Sequence, residues 1–287
     1  MISPGSTSAS AGLRRRRRAR RAAGWLLLPA FVFLMVAFVV PVATVLATSV
    51  TEPPGGLSHY ARFVGSPDLV RIFVRTVGMA AVATAIALVV GYPLTYFVTS
   101  GQGRPGKMVM AVVAGSLFVS LIVRSYAWLA ILGRGGLVGW VGSRLGGDTS
   151  DLALAPTKLA SLVGILQYAI PMMMLALYDV VRRVDRTLMH AAESLGAGPV
   201  RRFLRVYWPQ TVPGVTAGSA LVFVSVLGYY IIPSILGGPQ NMMLGELIAV
   251  KMQTTLEYGL ASALSSGLLV VGTVSYLLVR RASGGGR

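Results

Sequence analysis

Residues suited to catalysis or metal binding are scarce in this chain of 287 residues. It contains two histidines, His59 and His190, and no cysteine. The absence of thiols excludes disulfides, zinc–thiolate sites, iron–sulfur clusters and cysteine nucleophiles. Two histidines far apart in sequence do not predict a metal site, because such sites draw on several clustered ligands. With no candidate catalytic constellation, the sequence predicts that this protein is not an enzyme.

One glycine-rich segment has the spacing of a phosphate-binding loop. Residues 101–107 read Gly-Gln-Gly-Arg-Pro-Gly-Lys, which fits G-x-G-x-x-G and departs from G-x-x-x-x-G-K-[ST] only at Met108. Methionine has no hydroxyl for a magnesium ion. Both motifs work where a strand leads into a helix, whereas long apolar segments flank this loop. We interpret it as a cytoplasmic turn and expect the chain to bind no ATP, metal or cofactor itself.

The composition predicts a membrane protein. Hydrophobic residues make up 54% of the chain and charged residues 12%, about half the share of roughly 25% that is usual in soluble domains. Mean hydropathy is +0.70. Six apolar segments approach the roughly 20 residues needed to cross a bilayer, so we predict an all-α polytopic membrane protein. The predicted spans are Trp25–Thr48, Thr76–Val98, Met108–Leu132, Leu159–Val181, Val212–Leu236 and Leu260–Val279.

Basic residues set the predicted orientation. The net charge of +17 comes from 26 Lys and Arg against 9 Asp and Glu. Most of the excess flanks the spans, in the run Arg14–Arg21, in the segment 182–205 and at the C-terminal end, which favours both termini in the cytoplasm. No basic face is interleaved with aromatic residues on a soluble module, so a nucleic-acid partner is not expected. The first span is interpreted as an uncleaved anchor, in contact with the lipid bilayer.

The most informative segment lies between the fourth and fifth spans, over residues 182–210. Apolar and small residues recur there at helical spacing on either side of Gly196-Ala197-Gly198-Pro199. This pattern predicts two short amphipathic helices joined by a turn, with the proline placed to open the second. Such a segment suits either a lipid surface or a partner protein. Small alanine side chains on its first helix favour the close approach of a partner.

The spacing within this segment matches a known signature. His190-Ala191-Ala192 is followed after three residues by Gly196, and after nine more by Val206-Tyr207-Trp208-Pro209. This resembles the EAA loop of binding-protein-dependent ABC importer permeases, E-A-A-x(3)-G-x(9)-I-x-L-P. His190 stands where the family has an acidic residue, and Val206 and Trp208 replace Ile and Leu.

Two further stretches resemble the spermidine/putrescine branch of that family. They are Val123-Arg124-Ser-Tyr-Ala-Trp128, and Leu236-Gly237-Gly238 with Met243-Leu244-Gly245. The resemblance covers roughly residues 25–281. It implies six helices in the type I (MetI-like) importer fold, with a core over about 72–281 and the EAA-like loop at 182–210. The segments 1–24 and 282–287 are then expected to be a basic disordered tail and a short cytoplasmic tail.

The resemblance also implies a function and partners. The chain is expected in the bacterial cytoplasmic membrane as half of a translocation path for polyamines. A second homologous permease, ABC ATPase subunits that bind ATP and Mg, and an extracytoplasmic solute-binding protein would complete the importer. Its binding protein is expected on the outer loops near 51–75, 133–158 and 237–259. Contact with the ATPase is expected through His190, Ala191, Ala192, Leu195, Gly196 and Pro209.

Several residues fit more than one role. Arg201, Arg202 and Arg205 fit contact with the ATPase or with anionic lipid headgroups. Ionisable and aromatic residues near membrane depth are candidates for the translocation path: Arg124, Tyr168, Tyr229, Tyr230 and Glu246. For Arg124 the alternative is to snorkel outward or to cap helix carbonyls, and for the other four it is ordinary helix packing. Related branches of the family carry ferric ion, sulfate, thiamine or phosphonates, which are alternative substrates. Two other classes of membrane protein also stay possible: an ion-coupled secondary carrier and a scaffold that transports nothing.

Overall fold

The computed structural model describes residues 7–100, 104–144 and 154–284. Within these ranges its secondary structure is almost entirely helical. Apolar spans in lipid must be helical, because every backbone polar group there needs a hydrogen-bond partner within the span. The helices are α1 (Thr7–Thr51), α2 (Ser58–Gly65), α3 (Pro67–Ser100), α4 (Arg104–Ser116), α5 (Leu121–Leu132), α6 (Leu137–Arg144), α7 (Lys158–Arg182), α8 (Arg186–Ser194), α9 (Pro199–Arg202), a π-helical turn (Phe203–Tyr207), α10 (Trp208–Leu227), α11 (Ile231–Leu236), a 3₁₀ turn (Pro239–Asn241), α12 (Leu244–Gln253) and α13 (Tyr258–Gly284).

Six helical stretches of the described chain are long and apolar enough to cross a membrane, which confirms the predicted number. They are Leu28–Thr51, Pro67–Ser100, Leu121–Val141, Lys158–Arg182, Pro199–Leu227 and Tyr258–Arg281. An even number of spans places both ends of the bundle on the same face of the membrane. It also places the segment between α7 and α10 on that face.

The N-terminal segment differs from the predicted disordered tail. Residues 7–24 continue into the first span as part of α1, and residues 1–6 lie outside the described part of the chain. Alanine and arginine dominate this segment, and both favour helix. At the other end, α13 extends to Gly284, so only residues 285–287 of the predicted C-terminal tail are left undescribed.

The predicted third span, Met108–Leu132, is wrong as a continuous helix. Residues 117–120 separate α4 from α5. The Arg124 guanidinium fills this break, donating to the carbonyl oxygens of Ser116 at 2.5 Å and Val119 at 2.9 Å. A side chain therefore takes up carbonyls that a continuous helix would have paired with its own amides.

The predicted fifth span, Val212–Leu236, is wrong at its outer end. α10 ends at Leu227, and residues 228–230 separate it from α11. Pro233 has no N–H to donate to the carbonyl of Tyr229, which a continuous helix would require. The inner end also differs, because α9, the π-helical turn and α10 follow one another without a break.

The core of the bundle is formed by α7 packed between α3 and α10. Ile165, Met173 and Leu177 of α7 are fully buried. Small residues on the neighbouring helices allow this approach. A methyl group added at Gly91 of α3 would lie 3.3 Å from Met173, and one at Gly214 of α10 would lie 2.8 Å from the side chain of Val180. Glycine-mediated packing of this kind is typical of membrane helices.

The outer end is held by polar contacts. Arg75 of α3 donates to the backbone carbonyls of Gln240 and Met242. Glu257, before α13, accepts from Lys251 at 2.7 Å and from Arg62 at 2.8 Å. The hydrogen bond from Lys251, with the charges of Lys251 and Arg62, holds the pKa of Glu257 below its usual range. The Glu257 contacts join α2 to the segment between α12 and α13, and those of Arg75 join α3 to the chain before α12.

Close packing at Gly214 predicts a loss of stability on substitution. Gly214→Ala places a methyl group against the stiff side chain of Val180, and such overpacking costs about 1–3 kcal/mol. We expect a lower midpoint of thermal unfolding for the detergent-purified variant. Gly78→Ala is the matched control, because a methyl group there meets nothing within 4 Å, and its midpoint should stay unchanged or rise. Equal shifts in both variants would contradict the packing argument.

Candidate coupling site

The segment between α7 and α10 forms a helical hairpin, as its sequence predicts. Its first helix, α8, begins at an aspartate cap: the Asp185 carboxylate accepts from the backbone N–H of Thr187 at 2.8 Å and from the Thr187 hydroxyl. Both hydrogen bonds lower the pKa of Asp185 below its ordinary value, and the one from the Thr187 hydroxyl contributes more than the one from the backbone N–H. Capping of this kind satisfies amides that the first turn leaves unpaired, so the start of α8 is fixed by a local interaction.

A left-handed glycine ends α8. Gly196 has φ +80°, a conformation that glycine adopts without steric cost. The amide of Gly196 donates to the carbonyl of Glu193 at 2.9 Å, and the amide of Ala197 donates to that of Ala192 at 3.0 Å. These bonds close the helix end, as in other glycine-terminated helices. Gly198, with φ −65°, then caps α9.

An ion pair joins the two halves of the hairpin across this turn. The Glu193 carboxylate of α8 lies 2.5 Å from the Arg202 guanidinium of α9, and 3.9 Å from His190 Nδ1. The Arg202 side chain is largely covered. Sequence reasoning missed Glu193 and grouped Arg202 with Arg201 and Arg205, because helix periodicity does not show which charges meet across a turn.

Aromatic side chains attach the hairpin to the bundle. The ring centroid of Tyr207 lies 5.1 Å from that of Tyr96 on α3 and 5.5 Å from that of Phe203. Tyr92 of α3 contacts Phe203 edge-on, and its hydroxyl hydrogen-bonds that of Thr211 at 2.8 Å. Aromatic pairs of this geometry add about 0.5–1.5 kcal/mol beyond their burial. The π-helical turn therefore lies where the hairpin meets both α3 and α10.

A cavity of about 320 Å³ opens between the hairpin and the inner ends of α3 and α7. Its walls include Tyr96, Val184, His190, Arg202 and Phe203. His190 and Arg202 both lie beside the Glu193 carboxylate, so the cavity adjoins the ion pair on this face.

The predicted coupling residues fall in two groups. Leu195 is 88% exposed at the turn, and His190, Ala191 and Pro209 are exposed as well, while Ala192 is half-buried. The expected apolar faces are therefore only partly buried: Phe203 and Tyr207 pack inward, whereas Leu195 and its apolar neighbours on the hairpin face solvent.

The structure brings four of the five path candidates to the break between α10 and α11. Tyr229 lies within the break, and its ring centroid is 5.4 Å from that of Tyr168 on α7. Tyr230 is exposed beside it. A methyl group at Gly245, next to Glu246, would lie 3.2 Å from the Tyr229 carbonyl oxygen. The N-terminal end of α12 is therefore packed against the break.

Arg124, the fifth candidate, is clamped at the other break. The residue is 6% exposed and its Nη2 donates to the two carbonyls described above, while Nη1 is buried without a hydrogen-bond partner. The two breaks are thus close to each other, since α5 packs against α11.

Comparison with known families decides what this arrangement is. Residues 25–283 match the family described as binding-protein-dependent transport system inner membrane component. The chain belongs to this family. It is a multi-pass inner membrane protein and the permease subunit of an ABC importer, so it is not itself an enzyme. The resemblance of the EAA-like loop therefore led to the right family.

Individual relatives agree with this assignment. The spermidine/putrescine transport system permease protein PotB of Escherichia coli K12 is 26% identical over 262 residues, covering 91% of this chain and 94% of PotB. Among solved structures, a bacterial alginate ABC transporter in complex with an alginate pentasaccharide-bound periplasmic protein has a TM-score of 0.74 at 16% identity, with 94% and 97% coverage. The MetNI methionine ABC transporter has a TM-score of 0.51 at 16% identity, with 76% and 96% coverage. The predicted importer fold is confirmed.

The Gly196 turn predicts a specific sensitivity to substitution. Gly196→Ala forces an L side chain into positive φ, which costs about 1–2 kcal/mol and should accelerate exchange of the turn amides about 5- to 30-fold. Hydrogen exchange read by mass spectrometry on peptides spanning the turn measures this. Gly198→Ala is the control, because Gly198 has negative φ and open space around it. Equal protection in the two variants would rule out the conformational role of Gly196.

Proposed function

We propose that this permease imports polyamines of the spermidine and putrescine type. The observation that carries the proposal is the similarity to PotB over nine-tenths of both chains. The stretches at Val123–Trp128 and Leu236–Gly245 support it, because they resemble the polyamine branch in particular. The chain then binds no cofactor, and the ATP and Mg²⁺ belong to a partner.

The proposed assembly has four kinds of member. This chain and a second homologous permease form the path, ABC ATPase subunits lie below the hairpin, and an extracytoplasmic binding protein delivers the substrate. The solved alginate transporter with its periplasmic protein supports the last of these. On the outer face, the joined segments around Arg62 and Glu257 offer a fixed surface for that protein. The predicted contact at 133–158 is only partly described, because residues 145–153 lie outside the described chain.

The geometry of the hairpin supports a route for coupling. Closure of the ATPase displaces the hairpin through the exposed turn at Leu195 and Gly196. The Glu193–Arg202 ion pair keeps α8 and α9 together during this motion. Contacts of Phe203 and Tyr207 with α3 then carry the displacement into the core. Because the π-helical turn continues into α10, the same motion reaches the break at residues 228–230.

The proposed path runs past this break. Tyr168, Tyr229 and Tyr230 offer ring faces, which attract cationic ammonium groups. One oxygen of Glu246, Oε2, is buried without a hydrogen-bond partner, so its carboxylate has acceptor capacity left for an ammonium. Arg124 is assigned to holding the α4–α5 break, because its Nη2 is already engaged with two carbonyls.

A second candidate substrate is a small oxyanion such as sulfate. One observation favours it: the unpartnered Nη1 of Arg124 is a buried cationic donor at membrane depth, and such groups bind anions well. Competing uptake of spermidine and sulfate by the reconstituted importer separates the two candidates. Transport of sulfate without transport of spermidine would replace the polyamine proposal.

Coupling through the hairpin predicts the effect of Gly196→Arg. The variant should stay in the membrane, because the turn lies outside the spans, but ATP-dependent spermidine uptake should fall at least about tenfold, about 1.4 kcal/mol of lost coupling. Co-purification from native membranes in mild detergent should show loss of the ATPase. Gly198→Arg adds the same charge at a position of negative φ and should keep most of the uptake. Full uptake by Gly196→Arg would remove the coupling role.

Recognition of an ammonium by Glu246 predicts the effect of Glu246→Gln. Loss of one charge-assisted contact is worth about 1.5–3 kcal/mol, so spermidine uptake at low concentration should fall roughly tenfold or more with little change in the amount of protein. Asp179→Asn is the control, since Asp179 is exposed near the inner end of α7, away from the proposed path. Unchanged uptake by the Glu246 variant would exclude this residue from the path.

A further inference from the structure

A groove runs between α10 and α13 on the surface of the bundle. Its volume is about 760 Å³, within the range of ligand-binding clefts. Its wall includes Ala217 and Ala220 of α10 and Gly272 of α13. These residues carry a methyl group or no side chain, so space between the two helices stays open. Larger apolar residues complete the wall, and two of them, Leu221 and Leu269, are 50% and 44% exposed. The described chain therefore leaves an apolar groove uncovered.

The groove occupies only the cytoplasmic half of the membrane. Its wall on α13 runs from Leu268 to Arg280, a distance of about 18 Å at the rise of an α-helix. The hydrocarbon layer is about 30 Å thick, so one leaflet accounts for about 15 Å of it. On the outer half of α13, Leu260 and Leu264 are buried against α2, α3 and α12. A membrane-spanning helix of a partner would need a groove of about twice this length, whereas an acyl chain of the inner leaflet fits it.

Basic and aromatic side chains mark the inner end of the groove. Arg280 belongs to the wall and Arg281 follows it, and both residues are exposed. One helical turn before them, Tyr276 lies in the wall and is 57% exposed. Tyrosine is enriched where a membrane meets water, so this end of the groove lies at the level of the lipid headgroups. Guanidinium groups form strong charge-assisted hydrogen bonds with phosphate, and basic pockets between spans on the cytoplasmic side bind anionic headgroups.

We propose that the groove between α10 and α13 binds an anionic phospholipid of the inner leaflet. One acyl chain lies along Ala217, Leu221 and Gly272. Arg280 binds the phosphate, and Arg281 adds positive charge beside it. The residues of this site differ from those of the hairpin and of the proposed path, so the proposal does not depend on which substrate is transported.

Retention of lipid by the purified importer tests the headgroup contact. The importer complex is delipidated in mild detergent, titrated with palmitoyl-oleoyl phosphatidylglycerol or with the phosphatidylcholine of the same acyl chains, and examined by native mass spectrometry. The wild type should bind phosphatidylglycerol more tightly than phosphatidylcholine. Arg280→Gln should weaken binding of phosphatidylglycerol about fivefold, the contribution of one arginine near an anionic headgroup, and leave that of phosphatidylcholine unchanged. Arg183→Gln is the matched control, because Arg183 is exposed at the inner end of α7 and outside the groove. Equal binding of the two lipids by the wild type would overturn the proposal.

Filling the groove tests the acyl-chain contact. Ala217 is exposed, so Ala217→Phe places a ring in the groove without displacing a buried neighbour. We expect the variant complex to assemble normally and to retain one phosphatidylglycerol fewer than the wild type. Ala85→Phe is the matched control, since Ala85 is exposed on α3 and does not belong to the wall. An unchanged number of retained lipids in the Ala217 variant would contradict the proposal.

A cross-link identifies the occupant of the groove directly. The chain contains no cysteine, so Leu221→Cys gives it a single attachment point for a maleimide that carries a photoreactive group. In the importer complex in phosphatidylglycerol nanodiscs, illumination should add the mass of one phospholipid to this chain. A product with the second permease would instead assign the groove to an interface between subunits and overturn the proposal. The importer function would stand in that case, because it does not rest on this groove.

Discussion

This structure depends on one constraint: inside the lipid bilayer, every backbone N–H and C=O group needs a hydrogen-bond partner within the protein. It makes the spans helical and permits a break only where other groups take over the freed carbonyls. The break before α5 exists because the Arg124 side chain reaches back to two carbonyls. The break after α10 follows from Pro233, with the N-terminal end of α12 packed against it. Because α5 packs against α11, both breaks lie in one region of the protein. Arg124 and Tyr229, the polar residues of the two breaks, are therefore near each other.

At the cytoplasmic end this constraint is absent, because water can hydrogen-bond the backbone and solvate charged side chains there. Local interactions shape the hairpin: a capping aspartate begins α8, a left-handed glycine ends it, and one ion pair joins its halves. Its attachment to the membrane part relies on aromatic packing with α3. In the proposed coupling this unit moves as one body, because its internal contacts are polar and directional while aromatic packing attaches it to the bundle. The arrangement fits a permease that performs no chemistry and responds to an ATPase.

Substrate recognition is constrained by how few ionisable groups the spans contain. Among the charged path candidates, Arg124 is bound to two carbonyls and Glu246 has one oxygen without a hydrogen-bond partner. The proposed path uses aromatic faces and few charges, and the proposed second permease supplies its opposite wall.

The sequence by itself determined the membrane class, the number of spans, the hairpin and the family, because these depend on composition, local periodicity and fixed spacing. Hydropathy located the first, fourth and sixth spans to within a few residues and the inner end of the second, whose outer end begins at Pro67 and not at Thr76. The position of Gly196 followed from its signature. Only the tertiary structure decided where the third and fifth spans are interrupted, that Glu193 pairs with Arg202, and that four path candidates meet at one break. These features depend on contacts between residues distant in sequence, and neither hydropathy nor helical spacing records which side chain of a helix meets which neighbour.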